Sequence, residues 1–175
     1  MANFYLVCGI SGGGKTLLSR RIVQNNPSIE VMLDADEYYA KINGDERIRD
    51  HMYEVWRALY DDIHRYEENK TDILLTTNAL TVDQRNQFVE WFPTYVKHMI
   101  WVIAPWEMCV EGNNKRRRHV PEDVLKRQWQ RMEFPNAKEA GWETIAHVTN
   151  WWEEEYSVFD LKGDIRSIIS LKERK

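Results

Sequence analysis

The chain has 175 residues, 43% of them hydrophobic and 30% charged, with a formal net charge of −4. That size and composition suit one domain, 1–175, with a core of its own, and exclude a disordered or fibrous polymer. The acidic balance disfavours indiscriminate coating of nucleic acid, although Lys115-Arg116-Arg117-Arg118 followed by His119 leaves one local basic site.

Phe4 to Cys8 is a short apolar run that predicts a strand. No basic region precedes it and it is far too short to cross a bilayer, so a cytoplasmic protein with no membrane partner is expected, in the host cytoplasm if the source is a phage. A glycine-rich loop follows. The next helix, from near Lys15 until Pro27 stops it, turns Leu17, Leu18, Ile22 and Val23 toward a core. A second strand over Ile29 to Leu33 ends in Asp34-Ala35-Asp36, which sets carboxylates at the edge where open α/β sheets bind ligands.

Between Arg47 and Glu68, Ile48, Met52, Val55, Trp56, Leu59, Tyr60, Ile63 and Tyr66 recur at spacings of three and four, predicting one long amphipathic helix. Then come a buried strand at Ile73 to Thr76, a helix at Val82 to Phe92, a strand at Val96 to Ala104 and a helix near Trp106 to Asn113. A further helix starts at Pro121 and runs to about Met132, and a last strand fits Thr144 to Thr149. Leu161, Ile165, Ile168 and Ile169 predict a closing helix over about 160–172. Five strands alternating with helices give an α/β fold: a mainly parallel five-stranded sheet with helices on both faces. Cys8 and Cys109 have no metal-type spacing and are read as packing residues in a reducing compartment.

The strongest chemical signal is Gly9-Ile10-Ser11-Gly12-Gly13-Gly14-Lys15-Thr16, which matches G-x-x-x-x-G-K-[ST] between a strand and a helix. Its glycines let the backbone curl around phosphates, its N–H groups and helix N-terminus face the negative charge, Lys15 reaches the β/γ-phosphates, and Thr16 can ligate Mg²⁺. The candidate nucleotide-binding residues are Gly9, Ser11, Gly12, Gly13, Gly14, Lys15, Thr16 and Leu17. Such a loop alone leaves GTPases, ATPases, transporters and kinases open. Ile73-Leu74-Leu75 runs into Thr76-Thr77-Asn78 rather than an aspartate, which weakens a motor ATPase. Asp36 stands where a kinase acting on a hydroxyl wants its base; the alternative is a helix cap for Glu37 to Ile42. The run 115–118 has the character of a basic lid over about 112–120, with arginines that close on phosphates; the alternative is a solvated charged face.

Taken in order and spacing, Gly9 to Thr16, Asn26-Pro27, Asp36-Glu37-Tyr38, Thr77-Asn78, Ala104-Pro105-Trp106, Asn113, Lys115-Arg116, and Val120-Pro121 with Asp123-Val124-Leu125 form a pattern. It resembles the kinase domain of phage polynucleotide kinase, within the wider zeta-toxin-like and adenylate-kinase-like small P-loop kinases, over about residues 3 to 132. The resemblance implies a P-loop kinase fold, with Lys15 and Thr16 on triphosphate and Mg²⁺, Asp36 activating the acceptor hydroxyl and Arg116 as the lid arginine. It also implies Asn78 and Arg85 near the acceptor, and a segment from Pro135 to Val148 like the one that holds adenine in the wider group. Three positions depart from the phage enzyme: Thr76 replaces an aspartate that steadies the lid arginine, Gly112 replaces a second lid arginine, and Tyr39 replaces an arginine that holds the acceptor's 3′-phosphate. Arg117 or Arg118 is the substitute expected for the arginine missing at Gly112, with Arg117 placed beside the nucleotide.

These readings converge on an ATP-dependent kinase that uses Mg²⁺ and phosphorylates a hydroxyl of a nucleic acid, most simply a polynucleotide 5′-hydroxyl of DNA or RNA. The same machinery serves a DNA base-modifying kinase acting on 5-hydroxymethyluracil in phage DNA, or a kinase of nucleosides, sugars or other small hydroxyl compounds. A different class is a nucleotide-dependent switch or ATPase, with Trp151, Trp152 and Tyr156 on a partner surface; a homo-oligomer is compatible with those residues too.

Overall fold

The computed structural model describes residues 1–149 and 156–171. In chain order it comprises β1 (Asn3–Cys8), α1 (Lys15–Asn25), β2 (Val31–Asp34), α2 (Ala35–Asn43), α3 (Met52–Glu68), β3 (Ile73–Thr76), α4 (Val82–Trp91), β4 (Val96–Ile103), α5 (Trp106–Asn114), α6 (Glu122–Arg131), β5 (Thr144–Thr149) and β6 (Ser157–Lys162). A 3-10 turn at Ile165–Ser167 follows. The strands form one sheet in the order β2-β3-β1-β4-β5-β6, parallel except for the antiparallel β5–β6 pair. Among the described residues no helix is long and apolar enough to cross a membrane.

β1 sits mid-sheet because both of its faces are apolar. Phe4, Leu6 and Cys8 point to one core, shared with Val55, Leu59 and Ile63 of α3 and Phe88 of α4. Tyr5 and Val7 point to the other, shared with Leu18 and Ile22 of α1 and with Ile165, Ile169 and Leu171 near the C-terminus. Helices therefore cover both faces, as a parallel sheet requires. Every parallel strand then ends on one edge, and the loops after β1, β2 and β3 meet there.

The sheet has six strands rather than the expected five, and the closing helix over 160–172 is replaced by β6 and the 3-10 turn, residue 172 lying outside the described residues. Of the four expected apolar residues, Ile165 and Ile169 still reach the core and Leu161 is partly buried against it, whereas Ile168 is exposed. Ile165 and Ile169 do so from a different element, because Gly163 takes a left-handed φ of 64° and Asp160 accepts from the Ile165 N–H at 3.1 Å, which ends the strand in a tight turn. β6 in turn supplies hydrogen-bond partners to β5, which would otherwise be an open edge.

The helix expected from Arg47 begins at Met52. Asn43 Nδ2 donates to the carbonyls of Ile48 and Asp50, each at 2.9 Å, and His51 is left-handed, so residues 45–51 form a loop despite their helical spacing. Trp151 and Trp152 lie outside the described residues.

Candidate active site

The loop after β1 turns sharply into α1, and its residues Ser11 to Leu17 border a cavity of about 1210 Å³ that runs along the C-terminal edge of the sheet. Gly9 lies just outside the lining and donates its N–H to the Asn78 carbonyl at 3.0 Å. Asn78 Nδ2 also donates to Ser11 Oγ at 3.3 Å, so this residue braces the loop from the end of β3 as well as facing the cavity. The Ser11 N–H donates to Gln128 Oε1 on α6 at 3.1 Å. Lys15 is buried and donates from Nζ to its own loop's Ile10 carbonyl at 2.8 Å. Burial first, then the neighbouring Arg116 charge, push its ammonium down to about 8.

Gly12 and the α5 residue Gly112 press backbone against backbone. A Cβ on Gly112 would lie 2.4 Å from the Gly12 carbonyl oxygen, and one on Gly12 would lie 2.1 Å from the Cys109 carbonyl oxygen. No side chain fits at 112 while the loop holds this shape, which gives a steric reason for the missing arginine there. Cys8 and Cys109 are buried thiols pushed up to about 12 and about 11 by burial, so neither is a nucleophile.

The end of β2 supplies two carboxylates with separate jobs. Asp34 caps α2, accepting from the Asp36 N–H at 3.0 Å, and accepts from Thr16 Oγ1 at 3.2 Å. Burial and the Asp36 charge raise its pKa. Asp36 is therefore not the cap; it lies in the first turn of α2 with its carboxylate turned to the cavity. Three guanidinium groups meet it there: Arg118 at 2.5 Å, Arg49 at 2.7 Å and Arg116 at 3.2 Å. Arg49 also lies over the Tyr39 ring, 4.0 Å from its centroid. Thr16 and Asp34 are the pair with hard oxygen ligands suited to Mg²⁺ beside the loop.

Most of the expected site residues share this cavity: Lys15, Asp36, Arg116, Thr16, Tyr39 and Asn78 all border it. Arg85 does not. It is fully buried in a bidentate pair with Glu139, at 2.7 and 2.9 Å, and donates to the Ala79 carbonyl. Arg117 is exposed and outside the lining, whereas Arg118 reaches the site. None of Pro135 to Val148 borders the cavity, and that segment instead contributes Glu139 and β5 to the core. Arg49 and Gln128 were not anticipated. Gly44-Asp45, a pair of turn formers ahead of two alternating arginines, is the signal that could have exposed Arg49.

A family model described as an AAA domain matches residues 5–135. No curated protein sequence matches the chain. Among solved structures, a sugar kinase from Janibacter sp. HTCC2649 superposes with a TM-score of 0.62 at 18% identity, over 85% of this chain and 84% of that one. A gluconokinase from Sinorhizobium meliloti 1021 gives 0.59 at 16%, over 84% and 82%. The Pnkp1/Rnl/Hen1 RNA repair complex gives 0.65 at 12%, over 74% of this chain but 43% of that one. At these identities the likeness is one of fold, the α/β fold of P-loop kinases.

Proposed function

Because the chain belongs to the AAA domain family and has the P-loop kinase fold, we propose that it transfers the γ-phosphate of ATP to a hydroxyl of a nucleic acid, most simply a polynucleotide 5′-hydroxyl. The observation that carries this reading is Asp36, which borders the same cavity as Lys15 among arginines from two different loops. The cavity, about 1210 Å³, exceeds what one nucleotide fills, and Arg20, Arg47 and Arg49, from outside the segment 112–120, also border it. A phosphodiester strand is an acceptor that would use those charges. A neutral sugar has less use for three guanidinium groups.

In this mechanism the acceptor oxygen bonds to the γ-phosphorus as the bond to the ADP oxygen breaks, and Asp36 takes the hydroxyl proton. Lys15 neutralises the phosphates. Arg116 and Arg118, which now occupy the Asp36 carboxylate, turn to the transferring group when the lid closes, and this leaves Asp36 open to the hydroxyl. Thr16 Oγ1 and Asp34 would hold Mg²⁺, which when bound would supply positive charge beside the phosphates.

The test is transfer of label from γ-labelled ATP and Mg²⁺ to 5′-hydroxyl oligonucleotides, hydroxymethyluracil-containing duplex, nucleosides and gluconate. Label at an oligonucleotide end is expected. Label inside the modified duplex would point to a base-modifying kinase, and label on small acceptors alone would overturn the nucleic-acid reading. A second expectation concerns pH. Lys15 is a cation below about 8 and neutral above it, so kcat/KM for ATP should fall as pH rises through about 8. A profile flat to pH 9.5 would remove the Lys15 charge from nucleotide capture.

A further inference from the structure

The acceptor side of the cavity carries a ladder of flat side chains that begins at Asp36. Arg49 pairs with Asp36 at 2.7 Å and lies on the Tyr39 ring. The Trp56 indole borders the Tyr39 hydroxyl and partly offsets the burial that raises that phenol's pKa. Trp56 and Phe88 have ring centroids 6.3 Å apart, and Phe88 and Trp91 are 5.9 Å apart and nearly perpendicular. Phe88 and Tyr39 are buried in the core, but Trp56 and Trp91 stay half-buried beside the cavity, and Tyr53, 71% exposed, stands at its mouth. Core filling accounts for the buried members. It does not account for two indoles that keep part of their surface on the cavity that Asp36 and Arg49 also border.

Resting on the nucleic-acid reading above, we propose that this wall stacks one unpaired base of the acceptor strand, the base of the nucleotide that carries the reacting hydroxyl. Every base has a π-face, so stacking holds the end without demanding a sequence, and Gln87 of α4 also borders the cavity. Arg47 and Arg49, now paired with Asp45 and Asp36, border the cavity and would turn to the adjoining phosphate. A base that must leave its neighbours to reach the wall favours single-stranded or frayed ends over flush duplex ends.

The experiment compares single-stranded 5′-hydroxyl oligonucleotides ending in thymidine or in an abasic tetrahydrofuran residue, using the wild type, Trp91→Ala and Trp91→Phe with Mg²⁺ and ATP. The wild type should lose about tenfold or more in kcat/KM on the abasic end, in the range that one aromatic stack contributes. Trp91→Ala should bring the two acceptors close to parity by losing only on the base-bearing end, Trp91→Phe should keep most of the discrimination, and KM for ATP should not move. Tyr53→Ala, at an exposed position of the wall, should narrow the ratio even if Trp91→Ala does not fold. Equal use of both ends by the wild type, or a Trp91→Ala loss shared by both, overturns the stacking site while leaving an oligonucleotide kinase standing. Failure to label any oligonucleotide overturns the acceptor reading and this inference together.

Discussion

Asp36→Asn should abolish turnover while ATP still binds. The substitution keeps the shape of the side chain and its place in the first turn of α2, but removes the oxygen that would accept the hydroxyl proton. General-base catalysis contributes roughly 10²–10⁴-fold, so kcat should fall by about that much. Nucleotide binding should hold or tighten, because Arg49, Arg116 and Arg118 lose the carboxylate they now engage and become available to phosphate. Single-turnover transfer and calorimetric titration with a non-hydrolysable ATP analogue separate the two effects. A kcat within a few-fold of the wild type would refute the base assignment, and parallel loss of kcat and ATP affinity would make Asp36 an organiser of the arginines instead.

The largest effect on stability should come from Glu139→Ala. Arg85 has no exposed surface, and among the described residues its guanidinium meets the Glu139 carboxylate, the Ala79 carbonyl and the Trp101 ring. Removing one partner of a buried ion pair strands the other charge and costs about 3–5 kcal/mol. For a chain of this size each kcal/mol lowers Tm by about 2–4 °C, so a fall of roughly 6–20 °C is expected by calorimetry. The double variant Arg85→Met with Glu139→Leu should recover much of it, and KM for the acceptor should not respond. An acceptor KM that rises in Arg85→Met, Glu139→Leu with Tm intact would return Arg85 to the acceptor site.

The parts of the molecule that were legible in the sequence are those fixed by local rules. β3 falls where an uninterrupted apolar run predicts it, and the phosphate-loop motif sits between the strand and helix it requires. What escaped depends on partners distant in the chain. Arg85 sits at a helical position like any surface arginine, and its burial is decided by a glutamate 54 residues away. Arg49 follows Ile48 in a helical rhythm, and only the capture of the loop by Asn43 and the left-handed His51 sends it to Asp36. Periodicity identified Ile165 and Ile169 as core residues but could not tell a helix from a strand and a turn, because either delivers both side chains to the same place.

The contact between Gly12 and Gly112 also limits how such a site can change by single substitutions. An arginine at 112 is not one mutation away from function: its Cβ collides with the phosphate loop, and the loop cannot yield without disturbing Gly12, which is itself pinned by Cys109. A side chain at 12 would only add a second clash, with the Cys109 carbonyl, so changing both positions does not open the contact. Positive charge at the transferring phosphate is then more directly varied at 49, 116 and 118, where a side chain already projects into the cavity. In this chain the positive charge can therefore shift among several positions, while Gly12 and Gly112, which hold the loop against α5, cannot take a side chain.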